Sequence, residues 1–213
     1  MMFAGAIFKT LSLKSGTVLI TALVASAIAV PAFAGPKRLA RVPVSEISRP
    51  PAGWVEFCAR QPDECTGTGA TRDLTLSPQA WKHLVRVNKW VNKTIKPLTD
   101  LEHWGLIEVW SYPDDGYGDC EDYVLLKRRL LIQSGWPREA LLVTVVLDKQ
   151  GEGHAVLMVS SNQGDYVLDN QSSDILLWSE TGYRFVKRQS RSNPNVWISL
   201  EDQRPLVATT ASR

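Results

Sequence analysis

The chain has 213 residues, of which 44% are hydrophobic, and a formal net charge of +2 at pH 7. This length and composition suit one globular domain with a substantial core. A charge so close to zero lacks the basic footprint of a nucleic-acid-binding protein, so we expect no nucleic-acid partner.

The first 34 residues have the pattern of a secretory signal peptide. Lys9 and Lys14 precede an uncharged apolar stretch, residues 17–31. An A-x-A cleavage signature then ends at Ala34, before Gly35. The stretch is shorter than the roughly 20 apolar residues of a membrane span, although an uncleaved anchor is the alternative. We therefore predict cleavage near Ala34 and Gly35 and an exported mature chain of about 179 residues.

The mature chain divides into three parts by composition. Residues 35–53 are rich in proline and basic residues and predict an extended arm, residues 54–202 form the domain, and residues 203–213 predict a disordered tail. Cys58 and Cys65 lie close together, and in an exported protein such a pair normally forms a disulfide. A metal site is the alternative, but neither a histidine nor a third cysteine lies nearby.

Two helices are indicated before residue 135. The first has Ser77 as its N-cap and ends at Pro97, with apolar residues at helical spacing between them. The second runs from Cys120 to about Ser134, with Asp119 as a suitable N-cap residue.

Strand-like segments follow the helices. They are residues 141–147, 154–161, 166–169, 183–188 and 197–200. A turn signal at 162–165 makes the second and third a hairpin. Helices followed by an antiparallel sheet predict an α+β domain.

Cys120 is the cysteine without an obvious partner. A thiol acts as a nucleophile only as the thiolate, and a helix N-terminus lowers the thiol pKa. A buried structural cysteine is the alternative. The flanking carboxylates, Asp119, Glu121 and Asp122, favour the surface of a cleft instead.

Of the three histidines, His154 is the best candidate for a general base, because it leads a buried strand. His83 lies in the middle of a helix, and His103 lies in a segment without clear structure. Asp169, at the end of the next strand, is the candidate to orient His154.

The predicted hairpin register brings Asp169 only partway to His154. A two-residue turn at 163–164 pairs Asp169 with Met158, on the face of His154 but four residues, about 13 Å, away. The other groups that could orient the imidazole are Asp165, Asn170 and Asp174.

The carboxylates beside Cys120 pose an electrostatic problem. Asp119, Glu121 and Asp122 suit the first turn of a helix, but they raise the pKa of a neighbouring thiol. A bound cation would remove this conflict, and clustered carboxylate oxygens suit Ca²⁺.

Three segments together resemble the bacterial transglutaminase-like cysteine protease family. They are Gly118–Tyr123, His154–Leu157 and Leu168–Asn170, and the stretches 57–65 and 87–92 also look like that family. The resemblance covers about residues 54–170. Segment 110–116 departs from the expected pattern, which affects substrate choice more than the triad.

The resemblance implies a papain or transglutaminase-like core, with N-terminal helices packed on an antiparallel sheet. It also implies a triad of Cys120 as nucleophile, His154 as general base and Asp169 as orienting group. Some members are periplasmic, Ca²⁺-dependent proteases that cut surface adhesins and are sequestered by an inner-membrane partner. In them, carboxylates that correspond to Asp119, Glu121 and Asp122 bind the ion.

We therefore expect a monomeric, periplasmic cysteine protease that acts on a protein substrate through an acyl-enzyme. The backbone N–H of Cys120 is one expected oxyanion donor, and Asn88, Trp90 and Asn92 are candidates for the second. An acyl transferase or amidase with the same triad is one alternative. A non-catalytic binding module is the other.

Overall fold

A computed structural model describes residues 41–67, 69, 71–72 and 74–204. The predicted signal peptide, the beginning of the predicted arm and residues 205–213 lie outside the described residues. Within the described part, no helix is both long enough and apolar enough to cross a membrane.

Four α-helices and three short 3-10 helices occur in the described residues. The α-helices are α1 (Ala52–Arg60), α2 (Pro78–Thr94), α3 (Asp100–Trp104) and α4 (Cys120–Gln133). The 3-10 helices are Pro62–Cys65, Arg138–Ala140 and Trp178–Glu180. The predicted starts of α2 and α4 are confirmed, and the Ser77 side chain caps α2 by accepting from the Ala80 N–H.

The strands form one large antiparallel sheet and one small parallel pair. They are β1 (Val44–Ser48), β2 (Lys96–Pro97), β3 (Tyr117–Gly118), β4 (Leu141–Leu147), β5 (Gly153–Ser161), β6 (Gly164–Leu168), β7 (Leu176–Leu177), β8 (Arg184–Gln189) and β9 (Trp197–Leu200). The sheet has seven strands in the order β1-β9-β8-β4-β5-β6-β7, and β2 pairs with β3. The predicted α+β architecture is confirmed.

Both faces of the central strands are buried. In β4, Leu141 and Val143 belong to the core beneath the helices, whereas Leu142 and Val146 belong to a second core on the opposite face. Alternate side chains of a strand point to opposite faces, so a continuous apolar run indicates burial on both. This burial makes the sheet a rigid support for residues at the ends of β5 and β6.

Helix α4 lies in the larger core, between α2 and β5. Leu125 and Leu131 are almost fully buried there, and the Tyr123 hydroxyl donates to the Ile95 carbonyl oxygen at the end of α2, 2.7 Å away. Gly135, with a φ of +86°, follows the end of the helix, where glycine adopts the left-handed conformation most easily. The N-terminus of α4 lies beside the first residues of β5, because Cys120 lines the same cavities as Gly153 and His154.

The segment predicted as an extended arm is instead part of the fold where it is described. β1 pairs with β9 at the edge of the sheet, and α1 begins at Ala52 and buries Trp54 and Phe57. The prediction failed because β1 is mostly exposed and is held by pairing with a strand some 150 residues later in the sequence.

The disulfide between Cys58 and Cys65 is confirmed, with Cα atoms 5.7 Å apart. It joins α1 to the following 3-10 helix rather than closing an irregular loop.

The predicted disordered tail is wrong at its beginning. The Arg204 guanidinium donates to Asp202 Oδ2 at 2.7 Å and to the Tyr183 carbonyl oxygen at 2.8 Å. The ordered domain therefore extends at least to Arg204.

Candidate active site

The register of the β5–β6 hairpin decides where Asp169 lies. Ser161 pairs with Gly164 and Leu157 with Leu168, so the turn is 162–163, one residue earlier than predicted. The predicted pairing of Asp169 with Met158 is therefore wrong by two residues. Continuing the observed register places Asp169 opposite Val156, on the face of His154 but only two residues from it.

His154 and Asp169 are in direct contact. His154 Nε2 lies 2.9 Å from Asp169 Oδ1, and both residues are buried, with 5% and 4% of their surface exposed. An ionised carboxylate only accepts hydrogen bonds, so Nε2 carries the proton and Nδ1 is the ring nitrogen left to accept one. Asp169 thus fixes the tautomer of His154.

Two further groups support the Asp169 carboxylate. The Tyr183 hydroxyl donates to Oδ2 at 2.5 Å, and the Gln171 N–H donates to Oδ1 at 3.0 Å. Burial by itself opposes ionisation, but the hydrogen bonds from His154 and Tyr183 outweigh it and lower the pKa of Asp169. Tyr183 was missed because it lies in a strand-like segment that gave no sign of facing β6.

Cys120 lies beside His154 at the N-terminus of α4. The two residues line the same two cavities, and the backbone N–H of Ala155 donates to the Cys120 sulfur. α4 packs against β5, and the Ala155 N–H bond joins the beginning of the strand to the beginning of the helix. The structure therefore brings together Cys120, His154 and Asp169, as the sequence predicts.

The expected lowering of the Cys120 pKa does not appear in this structure. Burial raises the pKa of the thiol. The Glu121 carboxylate, which accepts a hydrogen bond from the thiol at 3.1 Å, raises this pKa further. The Ala155 N–H acts in the opposite direction but does not outweigh them. The predicted conflict between the thiolate and its flanking carboxylates is therefore real.

The carboxylates form two groups that share Asp119. One combines Asp119 with Cys120 and Glu121, and the other combines Asp119 with Asp100 and Asp122. The pKa of Glu121 is raised to about 9, mainly by burial and secondly by the neighbouring Asp119 carboxylate. Burial also raises the pKa of Asp122 to about 8, although the Ser111 N–H donates to this carboxylate at 2.8 Å.

These residues fit a hard cation. Asp119 Oδ1 and Asp122 Oδ2 are buried acceptors without a hydrogen-bond partner among the described residues, and a cation would satisfy both. Gly118 leaves room for the second of them, since a Cβ atom there would lie 2.6 Å from Asp122 Oδ2. Asp119 is the N-cap residue of α4, as predicted, but its side chain does not cap the helix. Its Oδ2 atom accepts from the Asp100 N–H instead.

Asp100 was not predicted as part of this cluster. It is almost fully buried, and its carboxylate accepts from the Val109 N–H. In the sequence it looks like an ordinary acid in the first turn of a helix after Thr99, which gives no indication that it faces Asp122.

The residues proposed as the second oxyanion donor do not face the cleft. The side-chain amides of Asn88 and Asn92 donate to backbone carbonyls of residues 169–173. Trp90 lies on the exposed side of α2, with 52% of its surface accessible. All three predictions are therefore wrong, because α2 turns its asparagines towards the segment after β6.

The remaining candidates have other partners. His83 Nδ1 accepts from the Trp136 indole at 2.9 Å, and His103 contacts Asp115. Asp165 accepts from the Val42 N–H and the Ser160 hydroxyl. Asn170 lines the cleft, but Asp169 is the group that contacts His154.

Comparisons with known proteins agree with this geometry. The family model described as bacterial transglutaminase-like cysteine proteinase matches residues 44–205. No curated protein sequence matches the chain. Among solved structures, calcium-bound LapG of Legionella pneumophila is 24% identical with a TM-score of 0.50, and the match covers 62% of this chain and 74% of that one.

A second structure, EGTA-treated LapG of the same organism, is 25% identical over 58% of this chain and 72% of that one, with a TM-score of 0.48. The fold is that of a transglutaminase-like protease. The family match spans most of the chain, including Cys120, His154, Asp169 and the carboxylates beside Cys120. The chain therefore belongs to the bacterial transglutaminase-like cysteine proteinases and is a cysteine peptidase.

Proposed function

We propose that the protein is an exported protease that hydrolyses a peptide bond through Cys120, His154 and Asp169. The observation that carries the proposal is the 2.9 Å contact between His154 Nε2 and Asp169 Oδ1, with the Cys120 thiol beside the same imidazole. A thiol, a base and a group that orients the base are the parts of a nucleophilic hydrolase.

In this mechanism His154 Nδ1 takes the thiol proton, and Sγ attacks the carbonyl carbon of the scissile bond. His154 then gives the proton to the leaving amine, and a thioester joins the acyl group to Cys120. A water molecule, deprotonated by the same nitrogen, attacks the thioester and releases a carboxylate and the free thiol. The backbone N–H of Cys120, at the start of α4, stabilises the oxyanion in both steps.

Asp169 holds the imidazole in the required tautomer throughout and stabilises the imidazolium when it forms. Tyr183 keeps Asp169 ionised and oriented by donating to its second oxygen. This support is useful because a buried carboxylate with only one partner would be more easily protonated.

We further propose that Ca²⁺ binds at the carboxylates beside Cys120. The candidate ligands are Asp119, Glu121 and Asp122, to which Asp100 is added because it shares a group with two of them. Bound there, the ion supplies positive charge that offsets the carboxylates around the thiol. The calcium-bound state of the similar LapG structure supports this assignment.

We also propose a periplasmic location and a surface protein, of the adhesin type, as substrate. The support is the signal-peptide pattern, the Cys58–Cys65 disulfide and the family resemblance. Regulation by an inner-membrane partner, and action as a monomer, belong to the same proposal.

The experiment compares surface and released proteins of cells that carry the native chain or Cys120→Ala. We expect a large surface protein to be shortened only in cells with the native chain. The purified protein should cut that substrate in vitro, and mass spectrometry should find a free carboxylate at the cut. A covalent adduct with an added primary amine would instead indicate an acyl transferase, and an identical surface proteome in both strains would contradict the proposal.

A further inference from the structure

Four large apolar side chains are exposed in one short segment that the mechanism above does not use. They are Leu101, Trp104, Leu106 and Ile107, and each has between 49% and 88% of its surface accessible. They lie in α3 and in the turn that follows it. Single exposed apolar residues are ordinary, whereas a group of this kind indicates an interaction surface. We call residues 99–111, which contain all four, the α3 segment.

The α3 segment borders the active site at both of its ends. At its beginning, Thr99 and Glu102 line a cavity of about 400 Å³ that also contains Cys120 and His154. At its end, Trp110 lines a second cavity, of about 260 Å³, which contains the same cysteine and histidine. The exposed apolar residues lie between these two ends, so their surface is continuous with the cleft.

Hydrogen bonds to three carboxylates fix the α3 segment beside the nucleophile. The Asp100 N–H donates to Asp119 Oδ2 at 3.3 Å. Further along, the Val109 N–H donates to the Asp100 carboxylate, and the Ser111 N–H donates to Asp122 Oδ1 at 2.8 Å. The segment is therefore closed on itself and attached to the first turn of α4. A surface that is already in place before a ligand arrives loses less entropy when it binds.

Trp104 is supported from one side within this segment. Its ring stacks on the His103 imidazole, with ring centres 3.9 Å apart and the ring planes inclined by 26°. His103 is held in turn by the contact of its Nε2 atom with Asp115 Oδ2 at 2.8 Å. About half of the Trp104 surface is still accessible. A tryptophan presented in this way is a typical anchor of a protein–protein interface.

The charges of the α3 segment favour a polypeptide over a membrane surface. Segments that lie on membranes usually carry lysine or arginine beside their apolar residues, but residues 99–111 contain neither. Glu102 and Glu108 instead place negative charge there. Continuity with the cleft points to one polypeptide in particular, because a chain that fills both cavities passes beside this segment.

We infer that the α3 segment is a substrate-docking surface, which binds apolar side chains of the substrate several residues away from the scissile bond. The inference rests on the proposed function. It implies that a long stretch of substrate binds more tightly than a short one that is cut at the same bond. Because these side chains do not touch the reacting atoms, they should affect KM rather than kcat.

The test measures kcat and KM of the full mature protein, in the presence of Ca²⁺, for two synthetic peptides that span the cut found in the comparison of strains. A peptide of about six residues extends over roughly 20 Å and fills only the cleft, whereas one of about 20 residues also reaches the α3 segment. We expect the native chain to have a KM about tenfold lower for the long peptide, the effect of burying one apolar side chain.

Ile107→Ser is the principal variant, because Ile107 is 88% exposed and its replacement removes little packing within the protein. It should raise KM for the long peptide about tenfold and leave KM for the short one unchanged. Trp104→Ala should have the same effect. The matched controls are Ile47→Ser in β1 and Trp90→Ala in α2, whose side chains are 78% and 52% exposed and line neither cavity.

Equal KM values of the two peptides for the native chain would overturn the inference. So would an unchanged KM difference in both Ile107→Ser and Trp104→Ala. If these variants cut the peptides normally but no longer shorten the surface protein in cells, the surface binds a different protein, and the inference is wrong.

Failure of the inference is distinguishable from failure of the proposed function. If the native chain cuts both peptides and the variants cut them equally well, only the inference fails. If the native chain cuts neither peptide, the proposed function fails, and the docking surface fails with it.

Discussion

At the scale of single residues, the chemistry of Cys120 depends on the charge of its neighbours. The thiol donates to Glu121, and burial and that carboxylate both raise the thiol pKa. A thiol in this state is a poor nucleophile near neutral pH. Glu121, which adds to the effect of burial on the thiol pKa, is therefore also one of the candidate calcium ligands.

We predict that Ca²⁺ lowers the pH midpoint of Cys120 labelling by iodoacetamide. With the ion bound we expect a midpoint below about 8.5, the ordinary thiol pKa, and in excess chelator we expect a midpoint above it. The reason is that the cation offsets the negative charge of Asp119 and Glu121 beside the sulfur. Mass spectrometry of the labelled peptide across a pH series measures the midpoint.

Glu121→Gln is the matched control for this experiment, because it removes the charge but keeps the size of the side chain. The variant should have a lower midpoint than the native chain in chelator and should respond less to Ca²⁺. Labelling of the native chain that is the same with and without the ion, with no bound metal by mass analysis, would remove calcium from the scheme.

At the scale of secondary structure, the β5–β6 hairpin shows how far local patterns reach. The sequence pattern predicted both strands and the face that carries Asp169 correctly. It did not predict the register, because moving a two-residue turn by one position changes every pair by two residues without changing which face a side chain occupies. The contact between His154 and Asp169 could therefore be expected but not located.

Helix α1 and the 3-10 helix that follows it form a second element whose stability we can test. The disulfide joins them, but other contacts hold the same segment: Asn195 donates to the Cys65 carbonyl oxygen at 3.0 Å, and Arg138 donates to the Glu64 carbonyl oxygen at 2.7 Å. The segment should therefore keep its place when the bridge is lost.

We predict that replacing both Cys58 and Cys65 by serine lowers the free energy of unfolding by about 2–3 kcal/mol, the effect of a short closed loop. Urea denaturation of the oxidised native chain and of the double variant measures the difference. Iodoacetamide labelling of Cys120 should be unaffected, because neither cysteine of the bridge lines the cleft. Loss of labelling in the folded variant would show that the bridge also shapes the active site.

At the scale of the whole molecule, buried carboxylates make stability depend on pH. The pKa values of Glu121 and Asp122 are raised to about 9 and about 8, above the 4.5 and 3.8 of the unfolded chain. Their contribution to stability is therefore complete below about pH 4 and is lost as the pH rises towards 8–9. Asp169, with a lowered pKa, acts in the opposite direction, but only at pH values below the ordinary range of a carboxyl group.

We predict that in chelator the thermal midpoint falls between pH 5 and pH 7. This range lies above the titration of Asp169, and Lys127, whose pKa burial lowers to about 7, begins to lose its proton only at the end of it. The corresponding loss of stability should be on the order of 2 kcal/mol, because partial hydration of the folded state reduces the full effect of the two shifts. Differential scanning calorimetry at fixed ionic strength measures it.

Added Ca²⁺ should flatten this dependence, because the folded state then binds the ion in place of protons. Asp122→Asn should reduce the slope in chelator. A midpoint that rises from pH 5 to pH 7 in chelator would contradict the assignment of raised pKa values to these carboxylates.

The sequence by itself determined the elements and the chemical groups of this protein. The apolar runs predicted β4 and β9 with their bounds, Asp119 and Gly135 marked the limits of α4, and the motif around Cys120 indicated the candidate nucleophile. Such features are written in neighbouring residues, because strand alternation, helix capping and local charge all act over a few positions.

Only the tertiary structure decided which of these groups meet. The contact of Asp169 with Tyr183, the turning of Asn88 and Asn92 away from the cleft, and the addition of Asp100 to the carboxylates all join distant segments. The pairing of β1 with β9 is of the same kind. These contacts depend on strand register and on how helices pack against the sheet, and small changes in either move a side chain by several ångströms without altering the local pattern.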